Sequence, residues 1–300
     1  MQLFTHQFKA MGSLCEFKLY IPKNIESKLV IDRLKDEVRG YEKKYTRYRP
    51  DSVTSTINNA AGNKEFIQLD DETSKLLDYA QALFEQSDGM FDITSGILRQ
   101  TWNFKLNSLP TEEQLKSILP LIGWDKVERK KSGVRLPLNG MEIDFGGYVK
   151  EYTADVCATL CTELNIHHGL INLGGDVRII GPHPNGDRWK VGIQHPRKPK
   201  TAIATIDIVQ GAITTSGDYE RYMIVNDKRF CHILNPRTGM SIEPYYSGLS
   251  IIAEHCLVAG SFSTIGLMKS CNDPEWVKEC GLPWLGVTQN MEVVGTLEGE

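Results

Sequence analysis

The residues best suited to chemistry stand at four glycine-bearing turns. These are Asp144-Phe145-Gly146-Gly147, Leu173-Gly174-Gly175-Asp176, Thr214-Thr215-Ser216-Gly217-Asp218 and His232-Ile233-Leu234-Asn235-Pro236-Arg237-Thr238-Gly239. Glycine lets backbone approach a ligand closely, and successive amides in such turns form concave anion sites. Each turn alone has a plain structural use, because a strand-rich chain needs glycine where it reverses. Together they point to a phosphate-bearing ligand. His232 reads equally as a buried, satisfied imidazole or as a proton acceptor, and Asp144 equally as a cap for the helix that follows it. Ser216, His232 and Asp218 have the residue types of a hydrolytic triad, but no G-x-S-x-G surrounds the serine and no oxyanion donor is evident, so that chemistry ranks last.

Elements of regular period must carry these turns. After an extended start at Leu14 to Tyr20, Val30, Leu34, Val38, Tyr41 and Tyr45 recur every three or four residues and predict an amphipathic helix over 27–45. A polar, turn-rich stretch at 46–62 follows. A second helix is expected from about Asp71, with Leu76, Ala80, Leu83 and Phe84 inward and Asp88-Gly89 as its stop. The polar insert at 103–139 contains a short helix after Pro110-Thr111 and a basic run at Arg129 to Lys131, read as a solvated face. From Met141 the pattern predicts a short strand, the Gly146-Gly147 turn and a helix to about Leu164. Seven short apolar strands separated by turns come next, and a last helix at 257–269. Grouped strands with flanking helices read as α+β with mixed or antiparallel sheets. No linker divides the chain, so a single domain over 1–300 with two packed sub-lobes is expected.

Composition narrows the function. The 300 residues carry 34 Lys and Arg against 38 Asp and Glu, a net charge of −4. Nucleic-acid binding wants a basic surface, so it is disfavoured. No apolar run reaches the length of a membrane span, and the first residues lack the pattern of an export signal. Seven cysteines, an odd number with no CxxC pair, suit a reducing compartment, so the chain as written is expected to be cytoplasmic. Cys157 and Cys161, four apart, read as small buried apolar residues rather than metal ligands.

Several segments, taken in order, resemble the ApbE family of FAD:protein FMN transferases. They are AMGS (10–13), YRPDSVTSTIN (48–58), GMFDIT (89–94), IDFGGYVKEYTAD (143–155), INLGGD (171–176), W-x-VGIQ-x-P (189–196), TTSGDYERY (214–222) and HILNPRTG (232–239). The resemblance implies an α+β flavin-transferase fold. It also implies transfer of FMN from FAD to a Ser or Thr hydroxyl of an acceptor protein, with AMP released and Mg²⁺ assisting.

Carried over by motif, the resemblance assigns FAD contacts to Met11, Tyr48, Met90, Phe91, Asp92, Asp144, Lys150 and Leu234. His232 becomes the candidate for accepting the hydroxyl proton or orienting a phosphate, and Gly147 and Thr264 become Mg²⁺ ligands. In the family the final helix begins A-D-A-x-A-T, and its Asp binds the metal. Here the helix reads Ala259-Gly260-Ser261-Phe262-Ser263-Thr264, so glycine stands at the carboxylate position. The alternative implied by that departure is an FAD-binding paralogue with impaired transfer.

Overall fold

A computed structural model describes residues 1–104 and 108–297. Strands β1 (Gln2–Ala10) and β2 (Ser13–Ile21) form a hairpin closed by Met11 and Gly12, both at positive φ. Helix α1 (Ser27–Tyr45) follows and buries Val30, Ile31, Leu34, Val38 and Tyr45. Within the stretch expected to be a loop lies a short helix, α2 (Val53–Asn59). Ser52 caps it by accepting a 2.9 Å bond from the Ser55 amide, and Ile57 anchors it in the core. Two apolar residues, Val53 and Ile57, are too sparse a pattern for periodicity to find.

Strand β3 (Ile67–Gln68) leads into helix α3 (Asp71–Gln86). Asp70 caps this helix at the Thr73 amide, and Gly89, at φ +76°, ends it. Helix α4 (Glu112–Ile118) starts at a Thr111–Gln114 capping box. Strands β4 (Glu128–Lys130) and β5 (Gly133–Arg135) complete a small antiparallel sheet with β3. Arg129 is not free in solvent, since it donates to Ser74 and to Asp78 of α3.

Residues 141–145 do not pair as a strand. Met141, Ile143 and Phe145 still point into the core in alternation, and the side chain of Asn58 takes the place of a neighbouring strand. Its Oδ1 accepts from the Ile143 amide at 2.8 Å and its Nδ2 donates to the Ile143 carbonyl at 3.0 Å. Helix α5 (Val149–Glu163) begins immediately after the Gly146-Gly147 turn.

The rest builds the main sheet. Strands β6 (Gly169–Leu173), β7 (Asp176–Gly181), β10 (Gly211–Gly217), β13 (Tyr246–Ala253), β14 (Trp284–Thr288) and β15 (Val293–Gly295) join β1 and β2 in the order β1-β2-β6-β7-β10-β13-β14-β15, every neighbour antiparallel. Two hairpins stand apart: β8 (Trp189–Gln194) with β9 (Ala202–Ile208), and β11 (Tyr222–Val225) with β12 (Lys228–Cys231). Helix α6 (Cys256–Lys269) connects β13 towards β14, with α7 (Trp276–Glu279) after it.

Period-two alternation divides the sheet between two cores. Ile171, Leu173, Ala212, Leu249 and Ile251 face α1, α5 and α6. Leu170, Ile213, Leu285 and Val287 face the β8–β9 hairpin. Each fully buried Leu or Ile stabilises the fold by roughly 1.5–3 kcal/mol. Among the described residues no helix is long and apolar enough to cross a membrane.

Candidate functional site

Antiparallel register gathers two of the four glycine turns, and the tip of the first hairpin, at one end of the main sheet. Cys15 pairs with Leu173 and Val177 with Ile213, so the Met11-Gly12 tip, the Gly174-Gly175 tip and the end of β10 at Gly217 lie side by side. A Cβ on Gly174 would meet Ser13 Cβ at 2.7 Å and Lys150 Cδ at 3.7 Å, while one on Gly12 would meet an Arg221 Nη at 3.5 Å. Both glycines have positive φ, and Gly174 also leaves room for Ser13; Lys150 and Arg221 stand in ordinary contact range of the two tips. Glu220 lies within electrostatic range of both.

Lys150, on the first turn of α5, pairs with Asp176 and, at 3.1 Å, with Glu151 Oε1. Asp144 accepts from the Gly146 amide at 3.0 Å and from Arg47, whose guanidinium also lies 5.3 Å from the ring of Tyr48. Tyr48 is 79% exposed, and its hydroxyl accepts from Arg47 at 3.3 Å. Met11 is half-buried at the hairpin tip. Thus Arg47 links Tyr48 to Asp144, and the short sheet end links Met11 to Lys150.

The Gly89–Asp92 segment packs beside the last of the four turns. Arg237 donates to the Asp88 carbonyl, and Trp102 Nε1 donates to the Gly239 carbonyl at 2.7 Å. Asn235 Oδ1 accepts from the Arg237 amide and holds the turn, so asparagine serves there as aspartate would. Leu234 packs into the cluster containing Ile97, Leu98 and Trp102. Phe91 is buried beneath Gly147, where a Cβ would stand 3.1 Å from its ring. Asp92 is also buried. One of its oxygens accepts from Thr94 N and Oγ1 and the other from the Trp124 amide, so its side chain braces the loop and burial raises its pKa. Met90 is half-buried against the main core. A cleft of about 380 Å³ adjoins this segment, lined in part by Gly89, Asp92 and Arg237.

His232 follows β12. Its Nδ1 lies 3.2 Å from the Arg221 carbonyl, which can only accept, so Nδ1 carries the proton and Nε2 keeps its lone pair. The ring retains an exposed edge, yet the protein packed around it and the Arg221 cation push its pKa down to about 4. It is a neutral acceptor at neutral pH. No triad forms, because Ser216 Oγ bonds the hydroxyls of Ser263 and Thr264, both at 2.8 Å, and Asp218 is clamped by Arg197 at 2.6 and 2.9 Å and by Gln289 at 3.0 Å.

Among the described residues no three His, Cys, Asp or Glu side chains gather around one point. Thr264 lies one helical turn beyond Gly260 on α6; Gly260 packs against Glu151 of α5, and Thr264 Oγ1 bonds Ser216 of β10. Gly260 is buried. A Cβ built on it would meet Glu151 Cγ at 2.5 Å, Cδ at 3.2 Å and Oε1 at 3.3 Å. Glu151 is itself only 8% exposed, and its Oε2 has no hydrogen-bond partner. An orphaned buried carboxylate oxygen beside a turn of hydroxyls is the donor chemistry a hard divalent cation takes. The two helices are locked together at their ends, since Asp155 of α5 accepts from the Cys256 and Leu257 amides at the start of α6.

Sequence reasoning missed Arg47, Asn58, Glu151, Arg197 and Arg221. The signal for Glu151 was present: α5 and α6 carry small and apolar residues over most of their surfaces, so a charge between them must be buried and must have a use. Cys157 and Cys161 are buried as expected, and burial pushes both thiols well up, Cys161 to about 12.

A model of the ApbE family matches residues 11–281. The FAD:protein FMN transferase of Klebsiella pneumoniae strain 342 is 28% identical over 279 residues, covering 90% of this chain and 85% of its own. That of Chlamydia pneumoniae is 30% identical over 233 residues, 74% of this chain and 70% of its own. The crystal structure of an ApbE protein from Thermotoga maritima superposes with a TM-score of 0.89 at 29% identity, covering 98% of this chain and 97% of its own. The flavin transferase ApbE from Vibrio cholerae superposes with a TM-score of 0.87 over 99% of this chain and 97% of its own; at 21% identity it speaks for the fold.

Proposed function

The chain belongs to the ApbE family, and from that premise we propose that it is an FAD:protein FMN transferase acting on a Ser or Thr hydroxyl of an acceptor protein. The hydroxyl oxygen attacks the FMN-side phosphorus of FAD. A new P–O bond forms, the bond from that phosphorus to the bridging oxygen breaks, and AMP leaves with that oxygen. The hydroxyl proton passes to His232 Nε2, the free lone pair of a neutral ring. The observation that carries the reading is the meeting of the Met11-Gly12 and Gly174-Gly175 tips with Lys150 and Arg221 at one sheet end. Backbone amides and two cations there suit a pyrophosphate.

Tyr48 and Met11 supply surfaces on which an isoalloxazine ring packs, and Arg47 fixes Asp144 and Tyr48 relative to one another. Phe91 supports the Gly147 turn from below. A divalent cation held near Thr264, the Gly147 carbonyl and Glu151 would neutralise charge on the transferred phosphate. Seven unpaired thiols suit a reducing compartment, so the cytoplasm is the proposed location.

Incubation with FAD, Mg²⁺ and a candidate acceptor, followed by a denaturing gel, tests the reading. A flavin-fluorescent acceptor band that disappears when the acceptor's target Ser or Thr becomes Ala is the expected result. Gly260 favours a second reading, an FAD-binding member without transfer activity. Bound FAD with no band at any Mg²⁺ concentration, across acceptors, would select it.

A further inference from the structure

We propose that Glu151 supplies the carboxylate of the divalent-cation site, replacing from α5 the acidic side chain that Gly260 leaves absent from α6. The inference rests on the flavin-transferase reading for its biological use, but it stands on the local geometry. Any side chain at 260 would begin 2.5 Å from Glu151 Cγ and 3.2 Å from its Cδ, so the Glu151 carboxyl end occupies the space next to Gly260. The two positions exchange volume: glycine on one helix makes room for glutamate on the other.

The charges around Glu151 argue against a purely structural ion pair. Lys150 already has Asp176 as a partner, so two carboxylates share one ammonium and one negative charge is left over. Glu151 Oε2 has no donor at all, and a buried carboxylate oxygen without one is costly to maintain. Glu151 packs against Gly260, and one turn further along α6 stands Thr264, whose Oγ1 is shared with Ser216, whose hydroxyl also meets Ser263. A carboxylate oxygen without a donor and hydroxyl oxygens on the same helix turn are the donors a small hard cation takes while completing its sphere with water and a ligand phosphate.

Mn²⁺, which stands in for Mg²⁺ and gives a paramagnetic signal, is the probe. Metal-stripped protein without FAD is titrated with MnCl₂ while free Mn²⁺ is read by electron paramagnetic resonance, and MgCl₂ is then added in competition. One site displaced by Mg²⁺ is expected. Glu151→Gln, nearly identical in shape, should weaken Mn²⁺ binding by about tenfold or more. Glu151→Ala combined with Gly260→Asp, which returns the carboxylate to α6, should recover most of that loss, whereas Gly260→Asp alone should not improve on the wild type because its Cβ meets Glu151. Melting curves in metal-free buffer show which variants are folded, and Glu151→Asp provides a shortened carboxylate should Glu151→Gln fail to fold. Equal Mn²⁺ affinity in wild type and Glu151→Gln, or no stoichiometric Mn²⁺ in the wild type, overturns the proposal. FAD binding is measured separately by fluorescence without metal, so failure there would overturn the flavin reading and leave the Mn²⁺ result to be judged alone.

Discussion

Replacing Gly260 by alanine should destabilise the protein, and should stabilise it once Glu151 is removed. Gly260 lies inside α6, where alanine is favoured over glycine by about 1 kcal/mol. Taken alone, that propensity predicts a gain. The new Cβ, however, would stand 2.5 Å from Glu151 Cγ, far inside contact distance, and the glutamate is confined between two packed helices. Overpacking of this kind costs about 1–3 kcal/mol, and forcing the glutamate off its rotamer about 0.5–1.5 kcal/mol more. The clash exceeds the propensity, so Gly260→Ala should lose about 1–2 kcal/mol. With Glu151→Ala, Cγ and Cδ are gone and the same change should gain up to about 1 kcal/mol. The coupling in a double-mutant cycle is then about 2–3 kcal/mol, well above the few tenths expected of independent sites. Urea denaturation of the four proteins without FAD or metal measures it. If Gly260→Ala stabilises the wild type as much as it stabilises Glu151→Ala, the carboxylate does not fill that space and the reasoning is wrong.

Three further outcomes follow from the geometry. Asn58→Ala removes both bonds to the Ile143 backbone in a half-buried setting and should cost roughly 1–3 kcal/mol by urea denaturation; a loss under about 0.5 kcal/mol would mean that water replaces the amide. Tyr48→Ala should weaken FAD binding by about three- to tenfold in a fluorescence titration while leaving the melting temperature unchanged, because the ring is exposed in the free protein. His232 has a folded pKa of about 4 against about 6.5 unfolded. Between those values the unfolded chain binds a proton that the folded chain refuses, so its contribution to stability is present above pH 6.5 and is lost as pH falls towards 4. His232→Gln should flatten that part of the stability profile, and transfer by the wild type should show no titration of this residue between pH 8 and 6.

Much of the architecture is legible because burial leaves a period in the sequence. Helix α1 falls on 27–45 as its apolar spacing requires, and the later strands appear where short apolar runs end in glycine. The exceptions have local causes. Strand β1 alternates half-buried and exposed residues at the sheet edge, but His6 on its inner side and Leu3 on its exposed side dilute the signal. Helix α2 is held by a serine cap and one isoleucine, and residues 141–145 keep a strand's alternation while receiving their hydrogen bonds from an asparagine side chain. Pattern reports which face is buried; it does not report which group satisfies the backbone.

The site divides along the same line. Motifs placed Met11, Tyr48 and His232 in or beside turns and Lys150 at the start of a helix, and the register of the sheet explains why segments far apart in sequence meet. The residues that position them, Arg47 on Asp144 and the Arg221 carbonyl on His232, act through single contacts that no spacing rule encodes. Gly260 is the sharpest case. Read alone on its helix, it is a missing carboxylate, and impaired metal binding follows. Read in three dimensions, it is half of an exchange whose other half, Glu151, sits on a different helix, beside Lys150. The volume left by the glycine is filled by a carboxyl group, one of whose oxygens has no donor. A deletion and a relocation leave the same trace at position 260. They differ only in what packs against it, so the weight of the functional argument rests on the contact between α5 and α6 rather than on the identity of either residue.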